Sequence, residues 1–331
     1  ASPYIGKCGY AGAGHAFQTL YGSSLTAGTA KQSNLFEFDQ TEFFSGTQTS
    51  LNEFGYIYIP SACQDGSTSC RLHMSYHGCL QDYDDIGDVW AEDAGYNDWA
   101  EENNIVVVYP YVKADLKMGN GNACWDWWGY TDADYVLKSG VQMAFSKKVL
   151  DAIIGDSFDT DDDTVPATDD GPSTTDDTVT TDDDDNSTPE KITLSALNIE
   201  PGSVTVSGLS SGGFMSVQMH VAYSSLVSGV GVFAGGPYYC AQDDLMVAEE
   251  QCMYGLMGGP QTSKLISYAE DQAALGHIDA TSNLAGAKVY VFSGSKDTTV
   301  KPSVVKTLEP FYSAFNTAPL ETEYTIEAQH C

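Results

Sequence analysis

The chain has 331 residues, enough for one large domain or two ordinary ones, and its 42% apolar residues, 11% aromatics and 32 glycines describe a globular, turn-rich protein. Its 46 acidic residues against 14 basic ones give a formal charge of -32, a field that repels phosphate backbones and anionic membranes and so excludes nucleic acid as a partner. No apolar run approaches the ~18 residues that a bilayer-spanning helix needs.

Taken in order, the chain opens on Ala1 without a signal-like segment, which reads as a mature or excised segment. An early helical stretch surrounds His15. β-rich runs follow: YIYIP (56–60), LHMSY (72–76) and NIVVVYP (104–110), with helix-compatible segments at about 86–102 and 133–150. From 151 to 190 the composition shifts to Asp, Thr, Ser and Pro. That stretch cannot bury enough surface to offset ordering entropy and reads as an extended acidic linker rather than a set of calcium loops. It contains the sequon Asn186-Ser187-Thr188 and Thr/Ser acceptors for O-glycosylation. Beyond it come SVTVSG (203–208), GVGVFAG (229–235), KVYVFSG (288–294) and ETEYTI (321–326), separated by helical segments at about 213–225, 263–275 and 302–316. Several of these strands are apolar throughout, as expected where both faces are covered. Strands alternating with helices predict an α/β fold with a mostly parallel sheet. About three core strands fall in 1–150 and about four in 191–331, so neither half is complete alone.

Eight cysteines, an even number, suit disulfides in an oxidising compartment and hence an extracellular protein. Spacing alone points to Cys63–Cys70 and Cys240–Cys252. No C-x-x-C pair occurs and the six histidines are scattered, so neither metal nor cofactor is expected.

The chemistry concentrates in SVTVSGLSSGGFMSVQMHVAY (203–223), where a strand runs into Gly208-Leu209-Ser210-Ser211-Gly212 and a helix follows at once. G-x-S-x-G in that context presents Ser210 on a sharp turn as a nucleophile, with the Ser211 amide aimed at a developing oxyanion. A serine nucleophile needs a base and an orienting carboxylate, expected in the order Ser, Asp, His after successive strands. Asp297 follows KVYVFSG and His330 follows ETEYTI. Asp243 and Asp244 are poorer acids because they follow an earlier strand. His15 and His277 are the rival bases. The second oxyanion donor is expected from the loop after LHMSY, His77-Gly78-Cys79-Leu80-Gln81, through the Cys79 amide. His77 reads as part of that loop rather than as a base.

With these motifs stand VFAGGPYYC, FSGSKDTTVKP, HMSYHGCLQ, GYNDWAEENNIVVVYP and NACWDWWGY. Together they make the chain resemble the poly(3-hydroxybutyrate) depolymerases, in particular the single-domain, fungal-type extracellular enzymes, across roughly 1–150 and 191–331. The resemblance implies an α/β-hydrolase fold with Ser210, Asp297 and His330 as triad, oxyanion donors at the Cys79 and Ser211 amides, and a Cys79–Cys124 disulfide. It also implies Trp127 and Trp128 as substrate-facing residues, with which His77 is grouped. The implied function is a secreted serine esterase acting on a short-chain polyhydroxyalkanoate. A feruloyl or acetyl-xylan esterase, or a non-catalytic surface module with a degenerate site, is the alternative.

The order of the halves departs from those fungal-type enzymes, which are circularly permuted with the nucleophile half first. Here the His77-Gly78-Cys79 half precedes, which restores the order oxyanion loop, Ser, Asp, His. Two histories fit: a rearranged gene with the acidic stretch as joint, or a segment spanning two tandem modules, which is slightly favoured. In the family the catalytic histidine leads through a further loop into the segment resembling SPYIGKCGYAGAG. Here the two sides of that loop are Cys331 and Ala1, so His330 is expected to lack part of its support. Cys8 and Cys331 are left to pair with each other or with partners elsewhere. The two halves are expected to pack as one sheet, within a chain or swapped between chains.

Overall fold

The computed structural model describes residues 9–156 and 189–330. Most of the acidic stretch with its sequon, and Cys8 and Cys331, lie outside the described residues. Within them one sheet contains β1 (Leu35–Asp39), β2 (Phe54–Tyr58), β3 (Arg71–Tyr76), β4 (Ile105–Tyr109), β5 (Glu190–Ile192), β6 (Thr205–Leu209), β7 (Gly229–Phe233), β8 (Lys288–Phe292) and β9 (Glu321–Glu323). The spatial order is β5-β1-β2-β4-β3-β6-β7-β8-β9. β2 is antiparallel to β1 and β4, and every other pair is parallel. The two parts of the chain meet in the middle of the sheet, where β3 pairs with β6 from His73↔Thr205 to Tyr76↔Gly208.

The apolar runs explain the central strands. β4 is Ile-Val-Val-Val-Tyr with all five residues buried, a composition that tolerates covering on both faces. On one face the helix Gly12–Tyr21 packs on β7 and β8, burying Ala13, Ala16, Phe17 and Leu20 at helical spacing. On the other, the helix Ser211–Ala222 lies against β3, β6 and β7 and is buried along its whole length. Side chains of β6 alternate accordingly: the Thr205 hydroxyl bonds Tyr21 of the first helix, whereas Gly208 faces Gly212 of the second.

Several expected elements differ. The segment 86–102 divides into the helices Tyr83–Ile86, Val89–Asp93 and Asn97–Asn103, interrupted at Gly87 and Gly95. The helix expected at 133–150 spans Val141–Ile154, starting just after Gly140. ETEYTI pairs with β8 only over its first three residues. The rest becomes a strap, with Ser295 N donating to Ile326 O at 2.8 Å and Lys296 N to Ala328 O at 3.0 Å. β1 and β5 were not expected, because Glu37 and Asp39 break the apolar pattern of one and the other is three residues long. Among the described residues no helix is long and apolar enough to cross a membrane.

Candidate active site

β6 delivers Ser210 into a turn that few side chains adopt. Its φ of 57° and ψ of -119° are left-handed for a residue with a Cβ, a conformation that costs about 1–3 kcal/mol and persists only where neighbours impose it. They do: Ser210 N donates to Phe233 O at 2.9 Å, and Ser210 O accepts from Phe214 N at 3.0 Å. A Cβ on Gly212 would overlap the carbonyl oxygens of Tyr76 and His77, so glycine there lets the helix start press against the loop after β3. Ser210 is partly exposed, and its hydroxyl makes no hydrogen bond among the described residues.

Asp297 and His330 are brought together. Asp297 Oδ2 accepts from His330 Nδ1 at 2.8 Å, and Oδ1 accepts from Thr299 N at 2.8 Å and Val300 N at 3.0 Å. The carboxylate is fully buried while the imidazole is 23% exposed. With Nδ1 donating, Nε2 is left as the free basic nitrogen, the tautomer a general base requires. Hydrogen bonds carry the edge from Ser210 to His330: Ala234 N, one residue past Phe233, donates to Phe292 O at 2.9 Å, and the strap ties 295–296 to 326–328. All three residues follow the carboxyl ends of parallel strands, where open α/β sheets place their sites. The Ser210–His330 hydrogen bond itself is not formed, and such contacts commonly tighten only when substrate is bound.

The other five histidines are occupied elsewhere. His15 is exposed and stacked on Tyr10, with ring centroids 4.5 Å apart, and His277 Nδ1 lies 2.7 Å from Gln272 Oε1. His220 is buried against the Tyr312 hydroxyl at 3.0 Å, and His73 sits between Thr205 and Ser207. His77 corrects an expectation: it is fully buried and faces no solvent. Its Nδ1 donates to Gly78 O at 2.7 Å and its Nε2 accepts from Val112 N at 3.2 Å. Burial holds its pKa down to about 4, so it is a neutral structural imidazole.

The amides of Cys79 and Ser211, the expected oxyanion donors, donate no hydrogen bond among the described residues. All three expected disulfides are formed: Cys63–Cys70, Cys79–Cys124 and Cys240–Cys252. The second ties the loop after β3 to the tryptophan-rich segment, whose Trp125 N donates to Ser211 Oγ at 3.3 Å. Trp127 is nearly buried and stacks on Phe214 at 4.3 Å, whereas Trp128 is only partly buried.

Two residues that shape this site escaped the sequence reading. Asp126 is buried and accepts from the amides of Trp128, Gly129, Tyr130 and Thr131 and from the Thr131 hydroxyl, folding WDWWGYT around one carboxylate. Burial nevertheless pushes its pKa up to about 6. Gln81, also buried, accepts from Gly78 N at 2.6 Å. An Asp followed by small and aromatic residues was the available signal for the first; nothing local marks the second.

No family model matches the chain. Among curated proteins it is 41% identical over 155 residues to a poly(3-hydroxybutyrate) depolymerase of Delftia acidovorans, covering 46% of this chain and 30% of that protein. It is 37% identical over 153 residues to a polyhydroxybutyrate depolymerase of Talaromyces funiculosus, covering 43% and 44%. The chain thus spans less than half the length of the curated relatives it matches. Among solved structures, an acetyl xylan esterase from Aspergillus awamori superposes with a TM-score of 0.53 at 15% identity, over 85% of this chain and 79% of that one. That likeness concerns the fold alone, which is that of an α/β-hydrolase.

Proposed function

We propose that this relative of the poly(3-hydroxybutyrate) depolymerases is a secreted serine esterase that cleaves the ester bonds of a short-chain polyhydroxyalkanoate. The observation that carries the reading is the Asp297–His330 hydrogen bond at the sheet edge that also bears Ser210 in its strained turn. Ser210 Oγ attacks the ester carbonyl carbon while His330 Nε2 takes its proton. The carbonyl oxygen becomes an oxyanion, stabilised by the Cys79 and Ser211 amides and the adjoining helix N-terminus. Asp297 holds the imidazole tautomer and stabilises the imidazolium. Collapse breaks the ester C–O bond, and the leaving alkoxide takes the proton from His330. Water, deprotonated by His330, then attacks the acyl-serine and frees the hydroxy acid and Ser210. Disulfides at all three expected pairs support an oxidising compartment.

Two measurements test this. A fluorophosphonate should label the protein and fail to label Ser210→Ala; a folded parent that takes no label is not an enzyme of this kind. Incubation with the polymer should release 3-hydroxybutyrate without turnover of feruloyl or acetyl-xylan esters. The reverse preference would transfer the protein to those esterases.

A further inference from the structure

His77, which is fully buried, has its two ring nitrogens spent on backbone groups of Gly78 and Val112. The Gly78 carbonyl and the Cys79 N–H belong to one planar trans peptide unit, so they point in opposite directions. Whatever fixes that carbonyl fixes the direction of that N–H. His77 Nδ1–H donates to Gly78 O at 2.7 Å, and the ring is held from behind by Val112 N–H on Nε2 at 3.2 Å. The rings of Tyr111 and Trp125 pack against it, with centroids at 5.0 and 5.8 Å. The preceding peptide is fixed as well, because Gln81 Oε1 accepts Gly78 N–H at 2.6 Å. Gly78 needs these restraints: a glycine leaves both flanking peptides free to rotate. It also runs close to the nucleophile, since a Cβ there would stand 3.3 Å from Ser210 Cβ and 3.1 Å from Leu209 O.

From this arrangement we propose that His77 and Gln81 are positioning residues that clamp the two peptides around Gly78 and thereby aim the Cys79 N–H at the oxyanion. The inference rests on the esterase reading above. Neither residue touches the reacting atoms. Neutral His77, kept so by burial, is the form that can donate from one nitrogen and accept at the other.

Isosteres separate the two halves of the imidazole. Asparagine places an amide near Nδ1 and can still donate to Gly78 O; glutamine reaches the Nε2 position and can still accept from Val112 N–H. In a protein with Ser210-dependent turnover, His77→Gln should lower kcat on the order of 10²-fold, the scale of losing an oxyanion donor, with KM within about twofold. His77→Asn should recover kcat to within about tenfold of the parent. Gln81→Leu, which keeps the packing volume and removes the acceptor, should also lower kcat with little change in KM, and covers the case in which the His77 variants do not fold. Inhibition by a boronate that forms a tetrahedral oxyanion should weaken in step with kcat. Equal losses in His77→Asn and His77→Gln, or losses confined to KM, would make the pair merely structural and overturn the proposal. So would Gln81→Leu turning over like the parent. A parent without Ser210-dependent turnover removes the esterase reading itself, and this inference with it, an outcome visible before any variant is compared.

Discussion

At position 212 one added carbon would meet two carbonyl oxygens at once, those of Tyr76 and His77. Gly212→Ala should therefore push the oxyanion loop off the elbow, lowering stability by about 1–3 kcal/mol, the usual cost of overpacking, and reducing kcat. Thermal unfolding and turnover indistinguishable from the parent would contradict the crowding. The buried imidazoles make a pH statement. Burial lowers the pKa of His73 and His220 to about 3 and of His77 to about 4, from the ordinary imidazole value of 6.5. Their contribution to stability is full above pH 6.5 and is lost as pH falls towards those values, by about 1.4 kcal/mol per imidazole per pH unit. Asp82, raised to about 7 by burial and the neighbouring Asp85, and Asp126, raised to about 6 by burial, work the other way. Their contribution is full at low pH and lost as pH rises through 6 to 7. The clean readout is a difference: at pH 5, His220→Gln should unfold with about one proton less taken up than the parent. Equal slopes of urea stability against pH between 5 and 6 would show that His220 is charged in the fold.

Among the elements, the loop from Cys79 to Cys124 closes 45 residues and joins the oxyanion donor to the segment bearing Trp125 to Trp128. Chain entropy assigns such a loop about 4 kcal/mol. Cys124→Ser should lose up to that amount in urea unfolding and lose turnover as well, while Cys240→Ser, whose bridge to Cys252 does not include the loop after β3, should lose stability with kcat largely kept. Similar kinetic losses in both would mean that the disulfide does not act through the oxyanion loop. What could be read from residues follows the same grain. β4 and β8 are legible because a strand covered on both faces must be apolar throughout, and the elbow is legible because its glycines and serines fall between a strand and a helix. β1 is obscured because its polar residues, Glu37 and Asp39, face outward or pair with the edge, as Glu37 does with Lys191 at 2.8 Å. At the site, chain order pointed to Asp297 and His330, but the burial of His77 and the grip of Gln81 depend on how the loop folds back, which no periodicity records.

On the scale of the molecule, the two described parts of the chain share one sheet through β3 and β6 and are crossed by the helix Gly12–Tyr21, which belongs to the first part and packs on β7 and β8 of the second. The charge of -32 says nothing of this arrangement, since much of it lies between residues 157 and 188. Severing the covalent connection there, at an inserted protease site, should leave the two pieces associated in gel filtration, because separation would bare β3, β6 and the apolar face of that helix. Pieces that elute apart would refute the interlock. The same crossing sets a timetable. Ala13, Ala16, Phe17 and Leu20 leave the ribosome well before the strand they cover, which ends at Phe292. At about 5–20 residues per second the helix waits roughly 15–55 s for its partner. For that interval a nascent chain carries an uncovered apolar stripe, so its yield in a cell should depend on whichever holdase reaches that stripe first.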